Sequence, residues 1–325
     1  MRKKISLITG VAGTIGSNLA SSLIKQGHLV YGIDNLSLGT KKNLKEIIND
    51  KNFSFFNLDL SEDVDVTKFK KIKNIDYLWL LAANSDIRAG LKDANVDLNN
   101  TFLTTVKSLN GFLSKLNKNS KVFFSSSSAI YGNIKKKLNE NHKNFFPISS
   151  YGESKLLSEI YLKDFCKKNK INYIIGRFPN VVGKPFTHGV IFDLANKIKK
   201  NSFLKVLGNG KQQKPYVHVI ELINCIEFLI FKKNKDKIYL IGPNDNGVSV
   251  KKITKIICKY FNYTKKVIFG KNSYGWVGDV PKYSYDTKRL NNEGFRFKLS
   301  SSEAIALAVK ERYSNNYKYE NTCNK

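Results

Sequence analysis

The sequence predicts an α/β protein built on a doubly wound parallel sheet. Between Ile5 and Arg177, short apolar runs alternate with longer stretches of helical period. The runs are apolar at nearly every position, which is typical of strands covered by helices on both faces. Alternation of strand and helix along the chain favours parallel pairing. The predicted strands cover residues 5–9, 29–33, 53–58, 75–82, 121–125 and 172–177.

The pattern changes after Asn180. Loops become longer, four prolines follow, and shorter helices are mixed with isolated strands such as KIYLIG (237–242) and KVIFG (266–270). We therefore predict a first domain over residues 1–180 and a smaller mixed α/β lobe over residues 181–325. A substrate is expected in the cleft between them. The end of the chain, from Ser314 on, has no helical period and is predicted to be a loose tail.

The composition excludes several classes of protein. A hydrophobic content of 42% excludes a disordered polyelectrolyte, despite a formal net charge of +29. The lysines are scattered through nearly every segment, which is typical of solvated faces and unlike the clustered basic face that binds nucleic acid. The positive field would still help to capture a small anionic substrate.

Targeting signals and cysteine motifs are not indicated. The apolar stretch near the N-terminus is too short for a signal sequence, and no run approaches the ~18 apolar residues of a membrane span. The four cysteines are far apart and form no CxxC pair, so neither a zinc site nor a disulfide framework is indicated. We expect a cytoplasmic protein with no metal and no nucleic-acid or membrane partner.

The first motif that carries chemistry is ISLITGVAGTIG, residues 5–16, a strand followed by a glycine turn and a helix. Gly10 would let the chain turn sharply, Gly13 would let the backbone approach a pyrophosphate, and Gly16 would let the helix pack closely on the sheet. The helix N-terminus supplies N–H groups and partial positive charge for phosphates. The motif predicts a Rossmann-type dinucleotide site.

Two acidic residues follow the next two predicted strands. Asp34 lies 18 residues after Gly16, where a carboxylate binds the ribose hydroxyls and repels a 2′-phosphate, which favours NAD over NADP. The alternative is that Asp34 starts a turn before Asn35. Asp59 could accept a hydrogen bond from the adenine amino group or cap the segment that follows it, and both interpretations stay open.

The second motif joins SSSSAIYG, residues 125–132, to SYGESK, residues 150–155. A helix is predicted with Ser149 or Ser150 as its N-cap, so that Tyr151 and Lys155 are one turn apart on the same face. An ammonium group nearby favours the phenolate and would lower the pKa of Tyr151 from about 10 toward neutrality. A YxxxK pair also occurs by chance on surfaces. Its position after a complete nucleotide site, and after a strand that ends in hydroxyls, favours proton transfer.

These segments occur together in the order and spacing of one known family. The segments TGVAGTIG, LLAAN, SSSSAIYG, YGESK, RFPNVVG and GWVGDVPKYSYDTKRL, with Asp34, resemble the extended short-chain dehydrogenase/reductases that act on nucleotide sugars as epimerases and dehydratases. The resemblance covers about residues 5–310, and it is greatest for the UDP-glucose 4-epimerase group.

The resemblance implies NAD as the cofactor and assigns roles to named residues. Tyr151 would be the general base and Lys155 would bind the nicotinamide ribose. The catalytic hydroxyl would be that of Ser127, four residues before Tyr131. The residues implied to bind the cofactor are Gly10, Gly13, Thr14, Ile15, Gly16, Asp34, Asn35, Asp59, Leu60, Leu81, Ala82, Ala83, Tyr151, Lys155 and Phe178, and those implied to bind the sugar nucleotide are Asn180, Lys214, Tyr216 and Asp279.

The chain departs from the family pattern at three positions. Lys214 and Trp276 stand where members commonly carry Arg, and Thr101 stands where they usually carry Asn. Because Lys is a point charge and Trp carries none, the bidentate diphosphate clamp is incomplete. Lys184 or Arg88 could compensate.

The residues after the catalytic serine favour one reaction. Family dehydratases carry Thr-Asp-Glu where this chain has Ser127, Ser128 and Ala129. Without that acidic pair, we expect NAD-dependent 4-epimerisation of a nucleotide-diphosphate sugar, with a UDP-hexose favoured, through a transient 4-keto intermediate. The alternative is a nucleotide-sugar dehydrogenase or 4-ketoreductase.

Two further expectations concern assembly and histidines. By analogy with the family, a homodimer is expected through a long helix around residues 95–117 and the helix that begins near residue 150. His218 is predicted to start a helix or to pack in the core. His188 could approach the nucleotide but is predicted to be structural.

Overall fold

The structure is a computed structural model that describes residues 2–134, 137–186, 189–200, 203–275 and 278–314. Its strands are β1 (Ile5–Thr9), β2 (Leu29–Asp34), β3 (Phe53–Asn57), β4 (Tyr77–Leu80), β5 (Lys121–Ser127), β6 (Asn172–Phe178), β7 (Asn180–Val182), β8 (Leu204–Val206), β9 (Gln213–Lys214), β10 (Tyr216–His218), β11 (Ile238–Leu240), β12 (Val248–Ser249) and β13 (Val267–Phe269). Its α-helices are α1 (Thr14–Lys25), α2 (Ile87–Lys92), α3 (Ala94–Asp97), α4 (Thr104–Gly111), α5 (Ser150–Lys168), α6 (Val190–Lys200), α7 (Val219–Phe231), α8 (Val250–Tyr260), α9 (Lys288–Asn292) and α10 (Ser301–Tyr313).

A seven-stranded parallel sheet forms the centre of the described residues, in the order β11-β6-β5-β4-β1-β2-β3. Each of the six strands predicted before residue 178 is present, with bounds that differ by at most a few residues. The prediction of a doubly wound parallel sheet is therefore confirmed. The order reverses beside β1, where the strands of the two halves diverge and a ligand crevice is expected.

Both faces of this sheet are covered, which explains why its strands are apolar at successive positions. Neighbouring side chains on a strand point to opposite faces. Accordingly Leu7 packs in a cluster with helices α4 and α5, whereas Ile8 packs in a cluster with α1 and α7. Phe124 and Phe123 divide between the two clusters in the same way.

The prediction that residues 237–242 form an isolated strand of the smaller lobe is wrong. Strand β11 pairs in parallel with β6 at the edge of the central sheet, and α7 before it packs in the same core as α1. The physical reason is the sequence of α7, which buries Leu222, Ile226 and Ile230 completely or nearly so and therefore needs a large apolar surface. The division of the chain at residue 180 stays a prediction.

The smaller lobe is built from short elements around its own core. Its two-stranded sheets are β10-β7, β12-β9 and β13-β8. Helices α6, α8 and α10 pack together through residues such as Leu194, Ile253 and Ile305, which are buried. The strand predicted over residues 266–270 is β13.

The long helix predicted around residues 95–117 is interrupted. A π-helical segment, Leu98–Leu103, joins α3 to α4, and α4 ends at Gly111. The side chain of Thr104 donates to the carbonyl of Asn99 (3.0 Å), and that of Thr105 donates to the carbonyl of Thr101 (2.8 Å). Threonine hydroxyls that bond backbone carbonyls in this way compete with regular helical hydrogen bonds.

Candidate active site

The glycine turn between β1 and α1 is shaped by two close backbone approaches. Gly10 has φ of 70°, and a Cβ on it would lie 2.9 Å from the backbone of Ala82. A Cβ on Gly16 would lie 2.2 Å from the carbonyl oxygen of Gly10, so α1 packs closely on the turn itself and not only on the sheet. A Cβ on Gly13 would meet no atom closer than 3.4 Å. The turn is therefore tight at its two ends and open at Gly13.

Asp34 forms the turn that was one of the two interpretations of its sequence position, and contact with the ribose stays a prediction. Its Oδ2 accepts a hydrogen bond from the backbone N–H of Ala12 (2.9 Å), and its Oδ1 accepts one from that of Leu36 (2.8 Å). The carboxyl therefore holds both the glycine turn and the turn after β2, while it also lines the cavity described below. Burial raises its pKa, and the two backbone bonds oppose that shift.

Asp59 organises the neighbouring loop. Its Oδ1 accepts hydrogen bonds from the N–H (2.8 Å) and the hydroxyl (2.7 Å) of Ser61, and its Oδ2 accepts one from the side-chain amide of Asn35 (3.0 Å). Burial alone would raise the pKa of Asp59, but these bonds hold it below the ordinary value. Asp59 therefore closes a turn and does not cap a helix, and contact with an adenine amino group stays a prediction.

A cavity of about 550 Å³ runs from the glycine turn to the ends of β5 and β6. It is lined by every residue that the sequence predicts to bind the cofactor, by Ser127, and by Asn180 and Tyr216 of the β7–β10 pair. The open glycine turn, the N-terminus of α1 and the carboxylate of Asp34 on one wall have the chemistry that holds a pyrophosphate and a ribose. The residues present therefore fit a dinucleotide.

Ser127, Tyr151 and Lys155 meet at one end of this cavity. Ser149 caps α5 by accepting a hydrogen bond from Gly152 N–H (3.2 Å), which places Tyr151 in the first turn. The hydroxyl of Ser127, at the end of β5, lies near Tyr151 and favours its ionised form, which lowers its pKa slightly. The Lys155 ammonium nitrogen donates to the carbonyl of Ser125 (2.5 Å) and lies 5.9 Å from the centroid of the Tyr151 ring. The predicted constellation is therefore assembled.

The pKa values of this group differ from the expectation. Burial raises the pKa of Tyr151 to about 12, against a smaller lowering by the nearby hydroxyl of Ser127. Burial lowers the pKa of Lys155 to about 7, although the negative charges of Glu159 and Asp97 oppose that shift. The expected lowering of the tyrosine pKa by Lys155 is not found, because desolvation by burial outweighs it for Tyr151 and the buried lysine is not fully charged near pH 7.

A buried ion pair behind the catalytic residues was not predicted. Both oxygens of Glu159 accept hydrogen bonds from Arg177, at 2.9 and 2.8 Å, and Oε1 also accepts one from Ser126 (2.6 Å). Arg177 donates a further bond to the hydroxyl of Tyr131 (2.7 Å). Glu159 lies one turn after Lys155 on α5, so the sequence spacing could have indicated that it faces the site. Its pairing with Arg177 on β6 could not be read from the sequence. The pair ties α5 to β5 and β6.

Asp97 is a second buried carboxyl that sequence reasoning missed. It is fully buried, its Oδ1 accepts a hydrogen bond from the side chain of Asn84 (2.8 Å), and burial raises its pKa. A Cβ on Gly90 would lie 1.6 Å from its Oδ2, so only glycine fits there. Thr101, the residue that departs from the family pattern, accepts a hydrogen bond from the N–H of Asn84 (3.1 Å). Together they fix the loop after β4.

The residues predicted to bind the sugar nucleotide divide into two groups. Asn180 and Tyr216 face each other in the β7–β10 pair and line the cavity. Lys214 and Asp279 form an ion pair with each other and do not line it.

The other basic and aromatic candidates are placed as follows. Arg88 pairs with Asp193 at 3.4 Å, and Lys184 is exposed. Trp276 and His188 lie outside the described residues. His218, as predicted, starts α7 and is buried, with Glu311 at 3.1 Å.

Comparison with known proteins decides the family. A family model described as the NAD-dependent epimerase/dehydratase family matches residues 6–242. The chain belongs to this family. NAD is therefore its cofactor, and the predictions of the fold and of an NAD-dependent nucleotide-sugar epimerase are confirmed at the level of the family.

Three similar proteins illustrate the range of this family. A relative from Methanocaldococcus jannaschii, provisionally named UDP-glucose 4-epimerase, is 29% identical over 95% of this chain and 99% of its own length. The ADP-L-glycero-D-manno-heptose-6-epimerase of Brachyspira hyodysenteriae is 29% identical over 89% of this chain and 91% of its own. The structure of a UDP-N-acetylglucosamine 4-epimerase from Methanobrevibacter ruminantium, in complex with UDP-N-acetylmuramic acid, superposes with a TM-score of 0.82 at 25% identity, covering 96% of this chain and 99% of its own.

The part of the chain that the structure describes contains neither a membrane-spanning helix nor a metal-binding cluster. None of its helices has both the length and the apolar character needed to cross a membrane. No group of three or more His, Cys, Asp or Glu side chains within the described ranges could hold a metal ion.

Proposed function

We propose that this enzyme catalyses 4-epimerisation of a nucleotide-diphosphate sugar, with a UDP-hexose as the favoured substrate, through a transient 4-keto sugar. The observation that carries the proposal is the meeting of Ser127, Tyr151 and Lys155 at one end of the cavity with no carboxylate at positions 128 and 129. Ser128 instead donates its hydroxyl hydrogen to the hydroxyl of Tyr283 (2.9 Å).

The three residues would divide the proton chemistry between them. Tyr151 would remove the proton from a sugar hydroxyl, and the Ser127 hydroxyl would hold the same oxygen in place. Lys155 would orient the tyrosine and, when protonated, stabilise the phenolate. NAD, when bound, accepts a hydride and returns it. A positive charge that enters the site with the oxidised cofactor would also lower the pKa of Tyr151 from the value of about 12 that burial imposes.

The other carboxylates of the cavity argue against loss of water from the sugar. Among the described residues that line it, the acidic ones are Asp34, Asp59 and Asp86. Each accepts a hydrogen bond from a backbone N–H group in a turn or a helix cap. A dehydratase needs an acid and a base free to move protons beside the sugar, and these three side chains are committed to the backbone.

Two similarities support a UDP sugar as the substrate. The provisional name of the Methanocaldococcus relative and the bound ligand of the Methanobrevibacter enzyme both contain UDP, whereas the Brachyspira relative is named for an ADP-heptose. Asn180 and Tyr216, which line the cavity from the β7–β10 pair, are the residues proposed to contact the nucleotide sugar.

The second candidate is a nucleotide-sugar dehydrogenase or 4-ketoreductase, which would share the oxidation step. It would differ only in releasing the keto sugar or NADH. The carboxylate of Asp34 beside the glycine turn favours NAD over NADP, and this preference supports internal recycling over biosynthetic reduction.

The deciding experiment supplies the purified enzyme with NAD and a panel of UDP-, GDP-, CDP- and ADP-hexoses. Epimerisation is expected for at least one UDP sugar, with no net change in absorbance of the nicotinamide and with two sugars in equilibrium by NMR. Stoichiometric accumulation of NADH or of a stable keto sugar would instead identify the second candidate.

The proposed assembly is a homodimer, and the proposed location is the cytoplasm. Three apolar side chains are unusually exposed on α5 and on the π-helical segment beside it: Leu157 (46%), Ile160 (57%) and Leu98 (41%). Burial of such a patch against its symmetric copy is the simplest way to remove it from water.

A further inference from the structure

The first turn of α1 is joined directly to a loop of the smaller lobe. The hydroxyl of Thr14 donates to the carbonyl of Pro185 (2.6 Å), and the side-chain amide of Asn18 donates to the carbonyl of Lys184 (2.8 Å). We call residues 183–186, which follow β7, the strap. Two consecutive carbonyls of the strap are thus bonded to two residues one helical turn apart, which fixes its register on α1.

The strap and α1 are walls of the same cavity. Thr14, with its neighbours Gly13 and Ile15, lines it from the α1 side, and Pro185 and Phe186 line it from the strap side. The N-terminus of α1 is the end of the helix at which a pyrophosphate binds. A dinucleotide at that helix end would therefore have the strap beside it, and the two hydrogen bonds would hold the two walls together.

Both ends of the strap are fixed. Gly183, with φ of 129°, lets the chain leave β7 in a direction that other residues adopt only with strain. At the other end of the strap, the guanidinium of Arg312 on α10 donates to the carbonyl of Phe186 (3.4 Å) and lies 5.4 Å from the centre of its ring. Loss of the two bonds to α1 would thus free the strap at the cofactor while its far end stays attached.

We propose that Thr14 and Asn18 act as positioning residues that hold the strap closed against α1 and so slow the release of NAD. The inference rests on the proposed function, because an epimerase must keep the reduced cofactor until the hydride has returned to the sugar. An enzyme that exchanges its cofactor in every cycle would gain nothing from such a closure. Asn18 has not been assigned a role by any motif in the sequence.

The test measures the rate at which NAD leaves the holoenzyme, without any sugar. Enzyme loaded with NAD is diluted into buffer that contains a second dehydrogenase with its substrate, which converts released NAD to NADH at once. Thr14→Val removes the hydroxyl donor but keeps the shape of the side chain, whereas Thr14→Ser keeps the donor. Asn18→Leu removes the amide donor with a residue that suits a helix.

The expected result is selective. Thr14→Val and Asn18→Leu should each speed NAD release about five- to tenfold, the effect of losing one hydrogen bond of ordinary strength. Thr14→Ser should stay close to the wild-type rate. Gln26→Leu is the matched control, because Gln26 at the other end of α1 donates to Glu227 (2.9 Å) and lies away from the strap.

Two outcomes would overturn the proposal. One is an NAD release rate that is the same in Thr14→Val, Thr14→Ser and the wild type. The other is an equal increase in Gln26→Leu, which would indicate general loosening of α1. If Asn18→Leu does not fold, as judged by thermal melting of the cofactor-free protein, the pair of Thr14 variants decides alone. Because no sugar is present, failure of epimerisation leaves this rate untouched, and the two proposals fail separately.

Discussion

Lys155 of α5 donates a hydrogen bond from its ammonium nitrogen to the carbonyl oxygen of Ser125 in β5, at 2.5 Å. Lys155 is 1% exposed, and burial disfavours its charged form and so lowers its pKa. The bond joins the helix that carries Tyr151 to the strand that carries Ser127. One lysine therefore sets the distance between the proposed base and the proposed hydroxyl, at a cost in stability that depends on pH.

Lys155→Met should change how the stability of the cofactor-free protein depends on pH. Burial lowers the pKa of Lys155 to about 7, below the ordinary value of about 10.5 in an unfolded chain. Between these values the unfolded chain binds a proton that the folded protein lacks, so the free energy of unfolding rises from about pH 7 toward pH 10. Methionine removes this slope, and the variant should be more stable than the wild type at pH 7 by up to several kcal/mol.

Urea denaturation at pH 7 and pH 9.5 measures this effect. The gain in stability of Lys155→Met should shrink at the higher pH. Lys167→Met, on the exposed side of the same helix, is the control and should follow the wild type at both values. Parallel curves for wild type and Lys155→Met across this pH range would contradict the assignment of a lowered lysine pKa.

Ser127→Ala should lose turnover while it keeps NAD. The hydroxyl lies near Tyr151 and accepts a hydrogen bond from Ala129 N–H (3.1 Å), so its loss removes the proposed catalytic hydroxyl and one cap of a short turn. Turnover is expected to fall roughly a hundredfold or more, as for the loss of a hydroxyl that stabilises a reacting oxygen. NAD affinity should change by less than about tenfold, because the hydroxyl accounts for at most one ordinary hydrogen bond.

Ser128→Ala is the matched control for this experiment, since its hydroxyl bonds Tyr283 and not Tyr151. Its turnover should stay within a few-fold of the wild type. Turnover that is unchanged in Ser127→Ala but lost in Ser126→Ala or Ser128→Ala would assign the catalytic hydroxyl to another serine of the run.

Glu159→Gln should destabilise the protein strongly. The change removes a charge that is buried against Arg177, whose own side chain is 2% exposed, and leaves the guanidinium without its counter-ion. Breaking a buried pair in this way costs about 3–5 kcal/mol. Lys163→Gln removes the outer partner of the same carboxylate, at 3.4 Å and 36% exposed, and should cost less than about 1 kcal/mol. If urea denaturation gives the same loss in free energy of unfolding for Glu159→Gln and Lys163→Gln, the buried pair does not stabilise the protein more than the exposed one.

Local patterns were the part of this molecule that could be predicted. The strands around Leu7 and Phe124, the turn at Gly10 and the cap at Ser149 each depend on a few consecutive residues, and each is found as predicted. What could not be predicted depends on contacts between distant parts of the chain. The spacing of Tyr151 and Lys155 is correct, yet their pKa values follow from burial, which spacing does not reveal.

The same limit explains the unpredicted carboxyls and the edge strand. Asp97 needs the space that Gly90 leaves, and the two residues look unrelated in the sequence until the loop folds back. Strand β11 is a short apolar run like those of the smaller lobe, and only its pairing with β6 shows that it belongs to the central sheet. The family resemblance, in contrast, named cofactor residues from distant parts of the chain that all line the cavity, because it carries three-dimensional information that composition and periodicity lack. It also named Lys214 and Asp279, which do not line the cavity.

A double variant, Leu157→Glu with Ile160→Glu, should convert the proposed dimer to a monomer. Both side chains are exposed on α5, opposite the face that buries Leu162 and Phe165, so the change leaves the core intact. In a symmetric interface each substitution occurs twice, and the added carboxylates would lie close together without partners. Light scattering should give twice the mass of the chain for the wild type and the single mass for the variant.

Ile268→Glu places the same charge on an exposed apolar site of β13, 37% exposed, and should leave the mass unchanged. A wild type that is already monomeric at micromolar concentration would refute the dimer, and a variant that stays dimeric would place the interface elsewhere.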